Sequence, residues 1–106
     1  MFCKKWFRRS IRDRANKYIS LLLACKIRLH DVPKSVRMDP QVTARIHTAA
    51  FRVDRAFPIE RFEEDLRLVR FEKYCAKTTN DVVLLNVLEG VEKRAKMSYE
   101  ILKKGD

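Results

Sequence analysis

The chain has 106 residues, 46% of them apolar and 36% charged, with a formal net charge of +10. That length holds one core but not two, and the apolar fraction excludes wholesale disorder. Two glycines and three prolines exclude collagen-like, low-complexity and turn-rich all-β classes.

Charge is distributed unevenly. Residues 1–56 carry fourteen Lys or Arg against four Asp or Glu, whereas residues 57–106 carry ten of each. The whole positive excess therefore sits in the first half, which points to an acidic partner, either nucleic acid or a protein surface. The longest apolar run, Ile19 to Cys25, is broken by Ser20 and falls far short of the ~20 residues of a membrane span. Cys3, Cys25 and Cys75 are odd in number and widely spaced, with no CxxC pair, so free buried thiols in a reducing compartment are expected.

The segment Met1 to Arg14 is basic and amphipathic. Lys4, Lys5, Arg8, Arg9, Arg12 and Arg14 stand against Asp13 alone, and Phe2, Trp6, Phe7 and Ile11 supply an apolar face. Three readings fit it: a mitochondrial targeting helix, an arm on RNA phosphates, or two solvated helical turns. The first predicted helix spans about Lys5 to Leu29, with Phe7, Ile11, Ala15, Tyr18, Leu22, Cys25 and Leu29 as its stripe. His30 to Met38 reads as a loop around Pro33. Asp39-Pro40 reads as the capped start of a second helix ending near Ala56, with Val42, Ile46, Ala49 and Val53 facing inward.

Pro58 opens a third helix. Glu60, Glu63, Glu64 and Asp65 crowd its start and Lys73 and Lys77 its end, as the helix dipole favours. Ile59, Phe62, Leu66 and Val69 form one stripe, while Leu68, Phe71 and Cys75 lie off it, which predicts a helix sandwiched on two apolar faces. Thr78 and Asp81 loosely resemble a capping box before a fourth helix with the stripe Leu84, Leu88, Val91, Ala95, Tyr99 and Leu102. The expected fold is all-α, a single domain forming an antiparallel bundle of three to four helices.

A catalytic constellation is not legible. His30 and His47 sit in no metal-ligand pattern, and His47 reads as a surface or boundary residue. His30 with Asp31 reads as a solvated loop pair. Two glycines cannot build a phosphate loop, and no serine stands in a nucleophile elbow. The expectation is a non-enzyme with no catalytic residue, no metal and no cofactor of its own.

Ala49-Ala50-Phe51-Arg52-Val53-Asp54-Arg55 resembles the second-helix signature of the mitochondrial LYR-motif proteins. Lys17-Tyr18-Ile19-Ser20-Leu21-Leu22 resembles their Leu-Tyr-Arg-x-Leu-Leu segment, and Pro58-Ile59-Glu60 the start of their third helix. Lys17 and Ile19 stand where the family has Leu and Arg. The resemblance places a three-helix core at 15–77, preceded by the basic segment 1–14 and followed by an additional helix at 78–106. It implies a small accessory or assembly subunit of a respiratory or ribosomal complex on the matrix side of mitochondria. It also implies binding to acyl carrier protein, whose acyl-phosphopantetheine would enter the bundle. Tyr18 and Phe51 would then line the core and Arg52 would face the carrier. Helical spacing adds Arg45 and Arg55 to the face of Arg52. The alternative is an RNA- or ribosome-bound structural protein that uses the basic N-terminal half.

Overall fold

The computed structural model describes residues 10–105. The fold is all-α: α1 (Ile11–Leu23), a 3-10 turn at Leu29–Asp31, α2 (Lys34–Arg37), α3 (Thr43–Asp54), α4 (Ile59–Thr78) and α5 (Val82–Lys104). α4 and α5 form the most extensive pair. α3 packs on α1 at one side and on both long helices at the other. No helix among the described residues is long and apolar enough to cross a membrane.

The first helix is shorter than its stripe predicts. Ser10 caps it by accepting from the Asp13 amide; Lys4, Lys5, Phe7, Arg8 and Arg9 of the predicted helix lie outside the described residues. It ends at Leu23 rather than near Leu29. Cys25 adopts φ 59°, while the Lys26 and Cys25 amides donate to the Leu21 and Leu22 carbonyls. This is the reciprocal pair of bonds that closes a helix with a left-handed residue. A cysteine in the usual glycine position is invisible to periodicity, and Cys25 is exposed rather than buried. α4 stops the same way. Asn80 has φ 55°, with the Asp81 amide on the Ala76 carbonyl and the Asn80 amide on Lys77. The N-cap of α5 is Asp81, accepting from the Leu84 amide, while Thr78 donates backward to the Cys75 carbonyl, so no capping box forms.

The predicted loop His30 to Met38 holds α2, a single turn. Asp39 also acts differently from expectation. Its carboxylate accepts from the Gln41 amide and its carbonyl from Val42 and Thr43, making a turn that leads into α3 three residues later than the Asp39-Pro40 pair suggests.

The core divides by location. Ala15, Leu22, Leu29, Val36, Val42 and Ile46 join α1, the linker and α3. Phe51, Phe62, Leu66, Val69, Val91 and Ala95 join α3 to the α4–α5 hairpin, with the Phe51 and Phe62 ring centroids 4.8 Å apart. Ala76, Leu84 and Leu88 fill the hairpin tip. Two ties beside this core fasten α5 to α4. Glu92 accepts from Lys73 at 2.6 Å and from Arg70 at 3.0 Å, and the Tyr99 hydroxyl donates to Glu63.

The second buried face of α4 is not the apolar one expected. Leu68 packs inward, but Phe71 is 59% exposed. Its neighbours on the inward side are the buried carboxylates Asp65 and Glu72. The acidic start of α4 is accordingly more than a dipole complement: only Glu60 lies in its first turn, while Glu64 and Asp65 face Arg28.

Candidate partner-binding surface

α3 organises the chemistry of the molecule because its two sides carry charge in different ways. Its inner side holds Thr43, His47 and Asp54, all buried. His47 is fully buried, not a surface residue. Its Nδ1 lies 2.6 Å from the Thr43 carbonyl oxygen and its Nε2 lies 2.7 Å from Glu72 Oε1. A carbonyl only accepts, so Nδ1 carries a proton, and the Nε2···Oε1 contact shares another. The other Glu72 oxygen accepts from Arg37, whose Nη1 also reaches the Val32 carbonyl at 3.0 Å. One buried carboxylate thus fastens the linker, α3 and α4 together.

Thr43, His47 and Glu72 superficially repeat a hydroxyl–imidazole–carboxylate triad, with Thr43 Oγ1 3.1 Å from Nδ1. The geometry denies that role. Nδ1 is already committed to the carbonyl of Thr43, and all three side chains are fully buried, so no substrate reaches them.

A pair of buried acids, Asp54 and Asp65, lies two turns of α4 before Glu72. Asp54 accepts from Arg61 at 3.0 Å, and Asp65 lies 3.8 Å from Arg28. One oxygen of each carboxyl, Asp54 Oδ2 and Asp65 Oδ2, has no partner among charged or polar groups. Burial first, and then the Asp54 carboxyl beside it, push Asp65 up to about 8, against the partial offset of Arg28. A carboxyl raised this far keeps its proton at neutral pH, so Asp65 has a donor to offer the neighbouring acid. Elsewhere, Lys73 foremost holds Glu92 below the usual carboxylate range, and the bond to Glu63 raises the Tyr99 phenol.

The outer side of α3 is the opposite. Arg45, Thr48, Arg52 and Arg55 are all exposed, at steps of three, four and three that form one stripe. A groove runs along each flank. Toward α5, a groove of about 500 Å³ has Phe51, Val91 and Ala95 at its floor and Arg52, Arg55 and Arg94 at its rim. Toward α1, a groove of about 340 Å³ lies between Ile19 and Leu23 on one side and Arg45 and Arg52 on the other. Thr48 and Arg52 border both. Among the described residues, no acidic side chain lines either groove. Arg45 bonds the Asn16 amide oxygen at 2.6 Å and Arg55 the Ser98 hydroxyl at 2.9 Å. Among the described residues, none of Arg45, Arg52, Arg55 and Arg94 enters an ion pair.

The structure therefore brings Arg45, Arg52 and Arg55 onto one face, as helical spacing expects. It separates Tyr18 from Phe51. Tyr18 sits half-buried at the edge of the α1–α3 cluster, whereas Phe51 belongs to the cluster with Phe62. Arg12 and Arg14 are exposed on α1, and the rest of the basic arm lies outside the described residues. Arg94, Thr48 and Ser98 escape sequence reasoning. Their only signal is a position beside the inward stripe of their own helix, and nothing local says which helices flank α3. Among the described residues, no three His, Cys, Asp or Glu side chains gather as a metal site.

Comparison with protein-family models, with curated proteins and with solved structures finds no match to this chain.

Proposed function

We propose that this chain is a non-catalytic helical accessory or assembly subunit of a mitochondrial multiprotein complex, and that it docks an acidic helix of a partner protein across the outer face of α3. The observation that carries this reading is the stripe of Arg45, Arg52 and Arg55, joined by Arg94, with no carboxylate of the described residues answering it. A single exposed ion pair contributes only about 0.2–1 kcal/mol. Four such arginines steer and orient a partner more than they hold it. Affinity comes from the apolar floors beside them: Phe51, Val91 and Ala95 on one flank, Ile19 and Leu23 on the other. An amphipathic acidic helix offers both chemistries at the right spacing.

The resemblance to LYR-motif proteins supplies the mitochondrial placement and a first partner to test, acyl carrier protein, whose acyl-phosphopantetheine would be the only cofactor brought to the bundle. Ile19, which replaces the motif arginine, lines the same groove as Arg45 and Arg52. The cationic contact would then come from α3 in place of α1.

The test is recovery of the tagged full-length chain from mitochondria at low salt, beside an Arg52→Glu/Arg55→Glu double variant. The reading expects a protein with an acidic helix, acyl carrier protein among the candidates, to accompany the parent chain and to be lost with the variant. Recovery of RNA and ribosomal proteins that vanish together on nuclease treatment, with no difference between parent and variant, would contradict it and favour RNA binding through the basic N-terminal half.

A further inference from the structure

The outward face of α5 is chemically unlike that of α3. Val83, Asn86, Gly90, Lys93, Met97 and Ile101 follow one another at helical spacing on a single side. Val83, Met97 and Ile101 on this line are 63%, 62% and 70% exposed. Charges of both signs flank this line: Glu89 and Glu100 against Lys93 and Lys96, all exposed. None of the four joins an ion pair among the described residues.

Gly90 stands at the middle of the line. Glycine inside a helix costs about 1 kcal/mol relative to alanine, and no contact among the described residues requires it. A Cβ there would touch only the Arg94 guanidinium, at 3.4 Å. What glycine does permit is close approach by another backbone.

We propose that α5 pairs antiparallel with α5 of a second copy of this chain, about a two-fold axis level with residues 91 and 92. In that register Val83 meets Ile101 of the second copy, Asn86 meets Met97, Gly90 meets Lys93, and Glu89 lies beside Lys93. Each contact occurs twice, as a two-fold interface requires. Self-complementary charge points to the occupant: a uniformly acidic or basic partner would leave half of these charges opposed, whereas an inverted copy sets Glu89 against Lys93 twice. The face of α3 cannot self-associate in this way, because like charges would meet. The dimer would carry two α3 docking faces, and its existence does not depend on what those faces bind.

The test is sedimentation equilibrium of the full chain in reducing buffer, with Glu89→Lys and Lys93→Glu examined singly and mixed. The parent chain is expected to dimerise with a Kd of about 1–10 μM, and each variant alone to associate at least about tenfold more weakly. An equimolar mixture of the two variants restores the dimer. At one contact the two introduced side chains then meet, lysine at position 89 against glutamate at position 93. At the other, the native Lys93 of the first chain meets the native Glu89 of the second. That rescue separates a specific interface from loss of folding, which the far-ultraviolet helical signal checks directly. A parent chain that stays monomeric at ten times the upper expected Kd overturns the proposal. So does a dimer indifferent to both substitutions, or a mixture that associates no better than either variant alone.

Discussion

The two sides of α3 handle charge in opposite ways. On the inner side His47 and Asp54 meet Glu72, Arg37, Asp65 and Arg61, and each of these groups has an ionic or protonic partner. On the outer side Arg45, Arg52 and Arg55 meet no carboxylate of the described residues. Buried charge without a partner is among the least tolerable features of a protein interior, so the inner network is fixed by folding. Exposed charge has no such constraint, and the acid-free cationic stripe with apolar grooves on both flanks is the surface on which the proposed docking rests. The same helix thus separates what the fold requires from what it presents.

The comparison breaks most visibly at Glu72. Glu72→Ala leaves His47 and Arg37 facing a buried void, and thermal or denaturant unfolding is expected to show a loss of about 3–5 kcal/mol. Glu72→Gln, which keeps the volume and one acceptor, should lose clearly less. A loss below about 1 kcal/mol for the alanine variant would mean that the inner network does not hold the linker to α4.

Asp65 gives the inner side a pH signature. The folded chain keeps its proton up to about pH 8, while the unfolded chain releases it near the ordinary value of 3.8. Folding therefore takes up a proton between those limits, and stability falls as pH rises through that window, at most about 1.4 kcal/mol per pH unit for one proton. Asp65→Asn should flatten this slope in a series of melts from pH 5 to about pH 8. Glu92 acts in the other direction. Its carboxylate is held down by Lys73 and Arg70, so its contribution is present above the unfolded pKa and is lost as pH falls through the folded one. The Asp65 slope is best measured above that acid limb.

A smaller effect belongs to the helix end. Cys25 holds a left-handed conformation that glycine adopts without strain, so Cys25→Gly should stabilise the chain by about 1 kcal/mol, measurable as a raised melting temperature. The smallest stability effect is expected on the outer side, where Arg52→Ala and Arg55→Ala should each stay within about 0.5 kcal/mol of the parent. A large loss there would make the arginines part of the fold and blur the distinction between the two faces.

Much of this architecture is legible in the sequence. The helix after Pro58 falls where proline places it, a helix restarts at the Thr78–Asp81 signal although Asp81 and not Thr78 caps it, and Arg45, Arg52 and Arg55 share a face by spacing alone. What stays hidden has a common cause. Periodicity assigns polar residues to the outside, yet His47, Asp65 and Glu72 are buried because each has a partner far away in sequence. The end of α1 escapes the pattern because a cysteine occupies the position that glycine usually marks. Arg94 joins the site only through the packing of α5 on α3, which no local pattern encodes.

The most direct test of the outer face is a photoreactive residue in place of Thr48, an exposed position that borders both grooves. Irradiated in mitochondria, the full chain is expected to form an adduct with one protein through an acidic helix, and Arg52→Glu should clearly lower its yield without changing the amount of folded chain. Adducts to RNA, or a protein adduct that survives Arg52→Glu unchanged, would contradict the account.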